Sequence, residues 1–250
     1  MFFNKKAIYT TKKDWEIFWN GYQPKIVSHV LFEELLRKYL KPNPSLSCIE
    51  IGCFPGEFLI FMNKIFKYKI YGIDFNIRSD TFWDNMRLNG VSECTYYNED
   101  FTKWNTNKRY DIVCSFGFIE HFINFDVIID KHLALLSEQG VLVLGCPNFR
   151  YAQYLFHFLF DRDNLKRHYL DIMSITKIRE IIEKNNLSVI FIGYYRTVEF
   201  WVDKLHQKRG IVRIFLTLII TIAKVINRVI DVPNRYFSPY ILCIAQKNKS

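Results

Sequence analysis

Seven short apolar runs, separated by stretches with helical spacing, constrain the fold of this chain more than any other feature. The runs are "SCIEIG", "YKIYGID", "ECTYYNED", "YDIVCSF", "GVLVLGC", "LSVIFIGYY" and "YILCIAQK". Among the first six lie "EFLIFMNKIF", "DTFWDNMRLNG", "EHFINFDVIIDKHLALLSE" and "SITKIREIIEKN". Alternation of this kind predicts an α/β fold, a mostly parallel sheet with helices on both faces. Ahead of the first run, "WEIFWNGY" and "KIVSHVLFEELLRKYL" read as two further helices, with Pro24 at the start of the second. Two connections are long, Pro147 to Asp171 and Thr197 to Pro239. Insertions at strand ends usually shape a substrate site or a partner surface.

Composition narrows the class. A chain of 250 residues, 50% hydrophobic and 17% aromatic, can bury one large core. Its six cysteines show no CxxC spacing, and Cys48, Cys94, Cys114, Cys146 and Cys243 each sit in or beside an apolar run. They read as small core residues in a reduced compartment, with no disulfide frame and no metal site. "MFFNKKAIYTTKKDW" shows no secretory leader, so a cytoplasmic location is expected. The net charge of +9 is uneven: residues 201–250 hold nine Lys or Arg against Asp203 and Asp231, which is +7 of the +9. The basic character belongs to that region and not to the rest of the chain.

The stretch "CIEIGCFPGEFL" runs from an apolar strand through a glycine turn into a helical pattern. A turn of that kind is a ligand cradle in α/β proteins. Its glycines, Gly52 and Gly56, are spaced Gly-x-x-x-Gly, and Phe54 stands where a dinucleotide turn would have its middle glycine. Glu50 lies two residues before the first glycine. Asp74 ends the second run and Asp100 the third. An acid at the end of the second strand suits the two hydroxyls of a ribose.

In this order the motifs resemble those of class I S-adenosylmethionine-dependent methyltransferases, the small-molecule branch related to quinone and surface-polysaccharide enzymes. "EIGCFPG" is similar to the glycine motif of that family, "YGIDFN" to the second motif, "NEDF" to the third, "YDIVCSFGFIEHF" to the fourth and "LLSEQGVLVLGCPN" to the fifth. The resemblance covers about residues 45–195 and the last run. It implies a Rossmann-like sheet of seven mostly parallel strands with a helical insertion before the last. It also implies one domain: a helical cap (1–44), a cofactor-binding core (45–197), a basic amphipathic insertion (198–238) and the last strand (239–250). The implied cofactor is S-adenosylmethionine, with S-adenosylhomocysteine as product and no metal. Carried over by position, Glu50, Gly52, Cys53 and Gly56 would contact the methionine and ribose. Asp74 would bind the ribose hydroxyls and Phe75 would flank the adenine. Asp100 and Phe101 would face the adenine, while Ser115 and Phe116 would line the methionine end.

Methyl transfer to a hydroxyl also needs a group to take its proton. His121, just after the fourth run, and His168, in "RDNLKRHYLD", are the candidates. The competing readings are a packing residue at a helix start for His121 and a solvated loop residue for His168. His29, His132, His157 and His206 read as packing or surface residues. Trp15, Trp19 and Tyr22, spaced four and three apart, suit either a helix docking its apolar face or a lid over the cofactor.

"GIVRIFLTLIITIAKVINRVID" places Arg213, Thr217, Thr221, Lys224, Arg228 and Asp231 in one stripe of a helix that is otherwise almost wholly apolar. Its longest uncharged run, Ile214 to Ala223, is short for a membrane span. The helix at 211–230 suits a peripheral place at the inner face of a membrane, a homodimer contact, or packing on the core. "VPNRYFSP" resembles a stretch of methyltransferases in surface-polysaccharide and capsule biosynthesis, which implies a glycan or other small-molecule acceptor and O-methylation. A quinone or isoprenoid-lipid methyltransferase is the alternative within the class. A non-catalytic cofactor-binding scaffold for a partner enzyme is the alternative outside it. No nucleic acid is expected: the basic residues alternate with Ile, Leu and Val, not stacking aromatics, and "SFGF" stands where amino-methylating DNA enzymes carry NPPY or DPPY.

Overall fold

The computed structural model describes residues 9–76 and 78–249. The stretch 1–8, the start of the segment in which the sequence shows no leader, lies outside the described residues. Seven strands form one sheet in the order β3-β2-β1-β4-β5-β7-β6. They are β1 (Ser47–Ile51), β2 (Lys69–Ile73), β3 (Cys94–Tyr97), β4 (Tyr110–Phe116), β5 (Leu136–Pro147), β6 (Leu187–Tyr195) and β7 (Tyr240–Lys247). All seven coincide with the apolar runs. Strands β1 to β5 pair in parallel, and β7 runs antiparallel between β5 and β6.

Alternate residues feed two cores, as a period of two requires. Ile49, Ile51, Val113, Leu142 and Leu144 face one way. They meet Ile128 and Ile129 of a helix at Phe125–Leu133 and Ile178 and Ile182 of one at Ile175–Lys184. Cys48, Cys114, Val143, Leu242 and Ile244 face the other, where Leu36, Leu59, Ile60, Phe82 and Met86 cover them. Those last residues belong to helices at Glu33–Tyr39, Glu57–Phe66 and Ser79–Leu88. With a helix at Lys12–Phe18 first, the helices to this point are α1 (Lys12–Phe18), α2 (Glu33–Tyr39), α3 (Glu57–Phe66), α4 (Ser79–Leu88) and α5 (Phe125–Leu133). They continue as α6 (Ala152–Phe160), α7 (Arg162–Leu165), α8 (Ile175–Lys184) and α9 (Gly210–Val229).

Two helices are shorter than their spacing predicts. The pattern from Lys25 to Leu40 becomes helical only at Glu33. Upstream, the Lys25 and Val27 N–H groups donate to the side chains of Asn85 in α4 and of Asn89, the residue that caps its end, at 3.2 and 2.8 Å. Asn89 also donates to the Lys25 carbonyl at 2.9 Å. Those side chains take over the backbone partners that a helix would have supplied. The long pattern from Glu120 breaks into a 3-10 turn, Ile119–His121, and α5. In the turn the carbonyls of Glu120 and His121 accept from the backbone N–H groups of Tyr169 and Tyr9, at 2.6 and 2.8 Å.

Both long insertions emerge at the carboxyl edge of the sheet, because Pro147 and Tyr195, the last residues of β5 and β6, both pair with Tyr240, the first of β7. The "VPNRYFSP" stretch is a clasp at that edge. The Asn148 side chain donates to the Ser238 carbonyl at 2.8 Å, and the Ser238 hydroxyl donates to the Arg196 carbonyl at 2.6 Å. Its local role is to hold the two insertions together beside the strand ends.

Candidate active site

The glycine turn is laced to the end of β2. The Gly52 and Cys53 N–H groups donate to the Ile73 carbonyl, at 2.9 and 3.4 Å, and the Phe54 N–H donates to Asp74 Oδ2 at 3.1 Å. Gly52 and Gly56 have φ of +71° and +95°, a conformation other residues rarely adopt. A Cβ on Gly52 would stand 2.6 Å from the Phe118 ring, so the turn leaves room only for a bare backbone. Asp74 Oδ1 accepts from the Asn76 N–H at 2.9 Å. Each Asp74 oxygen therefore keeps acceptor capacity for a further donor. Burial pushes this carboxyl up to about 6, against the backbone N–H groups that pull it down.

A cavity of about 80 Å³ opens over this turn, walled by Gly52, Phe54, Asp74, Phe75, Phe101 and Phe116 and roofed by Trp15 and Trp19. Trp19 packs on Phe54 at 5.4 Å between ring centroids, which fixes the bulky residue of the glycine turn beneath the roof. The volume equals that of a few waters. Trp15 of the roof belongs to α1, none of whose residues is buried, and its ring packs on His121 at 4.8 Å between centroids.

Several residues named from the sequence stand outside that wall. Glu50 is buried, its Oε2 has no hydrogen-bond partner, and desolvation, with a smaller contribution from Asp74, holds its carboxyl well above the usual range. Cys53 is buried behind the turn, and Gly56 sits against Met86. Asp100 takes the Thr102 N–H and hydroxyl at 2.9 and 2.7 Å, and its neighbour Glu99 lines the cavity in its place. Ser115 turns away to His132, 3.1 Å from its Nε2.

A second cavity of about 300 Å³ shares Trp15, Trp19, Phe116 and Gly117 with the first. It holds both predicted histidines, brought together from 47 positions apart, with ring centroids 4.7 Å from each other. His121 Nδ1 lies 2.9 Å from the Arg167 carbonyl and His168 Nδ1 lies 2.7 Å from that of Asn164. These contacts assign the proton to Nδ1 in each ring and leave a lone pair on each Nε2. Burial lowers His121 to about 4 and His168 well below its ordinary value, with the neighbouring His121 a further cause for His168. Two other histidines have acids four residues on, which the sequence reading passed over. His29 is 3.2 Å from Glu33 and His157 is 3.9 Å from Asp161, but neither histidine lines these two cavities.

Glu120 is the residue that sequence reasoning missed. It is 1% exposed, neither carboxyl oxygen has a hydrogen-bond partner, and Oε1 lies 4.0 Å from His121 Nε2. Burial pushes it up to about 8. Its signal was present in "EH", an acid directly before a candidate base at a strand end. Ligand atoms of Glu120, His121 and His168 all lie within 4.8 Å of one another. Below about pH 8 the protonated Glu120 brings one O–H donor and the two imidazole Nε2 atoms are acceptors, so the cluster suits a ligand that both donates and accepts, such as a hydroxyl. Two imidazole nitrogens and a carboxylate are also a donor set that a divalent cation accepts.

The raised Glu120 gives a pH signature. Between about 4.5 and about 8 the unfolded chain releases a proton that the folded protein keeps, so this group's contribution to stability is lost as pH rises through that window. Each pKa unit is worth about 1.4 kcal/mol. Glu120→Gln removes the penalty, so its melting temperature relative to wild type should climb by several degrees from about pH 5 to about pH 9. Scanning calorimetry across that range checks it, and a constant difference would mean that Glu120 ionises normally.

The fold sets a glycine-turn cavity at the strand ends beside a second, aromatic-lined cavity. The chain belongs to the methyltransferase-domain family, whose model matches residues 24–191. It is a class I S-adenosylmethionine-dependent methyltransferase. A search of curated proteins finds no match. Among solved structures, it is similar to a SAM-dependent methyltransferase from Archaeoglobus fulgidus, at 17% identity and TM-score 0.55, covering 87% of this chain and 93% of that one. It is also similar to magnesium protoporphyrin IX methyltransferase from Synechocystis PCC 6803, solved with bound S-adenosylhomocysteine, at 14% identity and TM-score 0.55, covering 94% and 92%. A third likeness is the [4+2]-cyclase SpnF, at 13% identity and TM-score 0.58, covering 92% and 88%. At these identities the structures speak for the fold, and the acceptor must be argued from the site.

Proposed function

We propose that the protein O-methylates a hydroxylated small molecule, with a glycan intermediate of surface-polysaccharide assembly as the preferred acceptor, in the cytoplasm at the inner face of a membrane. The observation that carries this reading is the cluster of Glu120, whose carboxyl oxygens have no partner, with His121 and His168 in the chamber next to the cofactor cradle. A polyol hydroxyl donates to an imidazole Nε2 and accepts from the protonated Glu120. The aromatic wall of Phe149, Trp201 and Tyr240 gives apolar faces for a sugar ring, with Trp201 and Tyr240 stacked at 5.4 Å.

S-adenosylmethionine supplies an activated sulfonium methyl when bound. Asp74 binds the ribose hydroxyls, Phe75 and Phe101 flank the adenine, Glu99 stands near its amino edge, and Gly52 and Phe116 border the methionine end. Glu50, Cys53, Gly56, Asp100 and Ser115 support the cradle from behind. In the second chamber, Glu120 and His121 take the acceptor's proton and His168 orients the acceptor. Trp15 and Trp19 close over both chambers and exclude water.

The test measures S-adenosylhomocysteine release against a panel of sugar nucleotides, lipid-linked saccharides, polyprenylated phenols and amines. Release with sugar acceptors is expected. Release with phenols alone would favour the quinone branch, which the same aromatic wall also suits. Cofactor binding without release for any acceptor class would favour a scaffold.

A further inference from the structure

We propose that α9 docks the protein on an anionic lipid surface, lying flat with its outer apolar stripe inserted among the lipids. This deepens the membrane placement of the reading above and rests on that part of it alone. Helix α9 has three faces. The inner one is Leu216, Ala223 and Asn227, spaced seven and four apart. Leu216 and Ala223 are buried, and Asn227 Oδ1 takes the N–H groups of Thr197 and Val198, each at 3.0 Å. The outer one is Ile211, Ile214, Leu218, Ile222, Val225 and Val229, spaced three, four, four, three and four apart and 50–85% exposed. At about 100° per residue it lies opposite the inner face. Along one flank between them run Arg213, Thr217, Thr221, Lys224 and Arg228.

An apolar stripe turned to solvent along the length of a twenty-residue helix calls for a covering surface. The charge on the flank chooses it. Arg213, Lys224 and Arg228 form no ion pair among the described residues, and the helix contains no acid. A second copy would bring a stripe of three basic residues against one acid, Asp231, which lies beyond the helix end, because a two-fold interface pairs a patch with itself. An anionic leaflet complements both features, taking the apolar stripe into its acyl boundary and the basic flank at its headgroups.

The helix is long and apolar enough to cross a membrane by length and composition, more so than its ten-residue uncharged run predicts. Its inner face decides for lying flat: Leu216 packs with Phe156 and Val202, and Asn227 ties the other end to the domain. Helix α6 extends the platform, with Leu155 and Leu159 exposed and Phe160 6.1 Å from Phe215 of α9. Docking in this pose leaves the acceptor chamber on the inner side of α9, about one helix diameter of 10–12 Å from the lipids, because Trp201 of its wall directly precedes Val202, which packs on Leu216.

Flotation with phosphatidylcholine vesicles, with and without phosphatidylglycerol, tests this. Wild type should float with the anionic vesicles and lose most of that binding in high salt. Arg213→Glu/Lys224→Glu/Arg228→Glu should weaken it at least about a hundredfold, as follows from about fivefold per basic residue. Leu218→Ser/Ile222→Ser, which alters exposed positions only, should abolish it. Both variants should keep wild-type affinity for S-adenosylhomocysteine, which shows that they fold. Wild type that ignores anionic vesicles overturns the proposal. So does a dimer that Leu218→Ser/Ile222→Ser makes monomeric. Flotation needs no acceptor, so a negative acceptor panel leaves this test intact, and failure here leaves the acceptor reading intact.

Discussion

His121→Ala is expected to slow methyl transfer by about 10²–10⁴-fold while the affinity for S-adenosylhomocysteine stays within about threefold. The ring borders the acceptor chamber and not the cradle, so its loss should touch turnover and spare cofactor binding. Its Nδ1 is held by the Arg167 carbonyl, and its Nε2 lies 4.0 Å from Glu120 Oε1. Alone, a histidine lowered to about 4 is a weak base near neutrality. Glu120, pushed up to about 8, is better matched, since an effective base has a pKa close to the working pH. The two therefore act together, and Glu120→Gln should lower turnover to a similar degree. Rates of the wild type should rise with pH toward about 8, where the carboxylate forms, and Glu120→Gln should flatten that rise. His168→Ala should instead raise the KM for the acceptor. Initial rates for the three variants decide. If His121→Ala and Glu120→Gln both turn over at the wild-type rate, alignment alone drives transfer. Loss of turnover in His168→Ala only would make that residue the proton acceptor.

The sheet was legible because each strand is a short apolar run between turn residues, and α3 could be read to the residue because Gly56 opens it and Glu57–Phe66 keeps helical spacing throughout. What the sequence hid depends on partners distant in the chain. Lys25 and Val27 carry helical spacing, yet asparagines about sixty positions away take their backbone N–H groups and the segment is not helical. Glu99 and Asp100 are adjacent acids at one strand end. The choice between them is made by Thr102, which engages Asp100 and leaves Glu99 at the cavity. His168 looked like a solvated loop residue until the fold set it beside His121. In α9 the basic stripe was plain, but two apolar faces flank it. Only the packing of Leu216 and the hydrogen bonds of Asn227 show which one turns inward.

Asp74→Ala is expected to weaken S-adenosylhomocysteine binding at least tenfold, and a calorimetric titration of that variant beside the wild type is the most direct test of the cradle at the ends of β1, β2 and β3. Asp74 lines the cavity, and each of its carboxyl oxygens has one backbone N–H bound and capacity for a further donor, which the proposed reading assigns to the ribose hydroxyls. Hydrogen bonds to a charged group contribute about 1.5–3 kcal/mol each, so losing even one approaches or exceeds a factor of ten. Because Asp74 also braces the glycine turn through the Phe54 N–H, Asp74→Asn serves as a second variant that keeps the shape and one acceptor. It should fall between the other two. The carboxyl lies at about 6, so wild-type affinity should also decline as the pH drops below that value. Binding to the wild type with graded loss through Asp74→Asn to Asp74→Ala, at unchanged melting behaviour, is the outcome that the proposed cradle predicts. Equal affinity in a folded Asp74→Ala would contradict it.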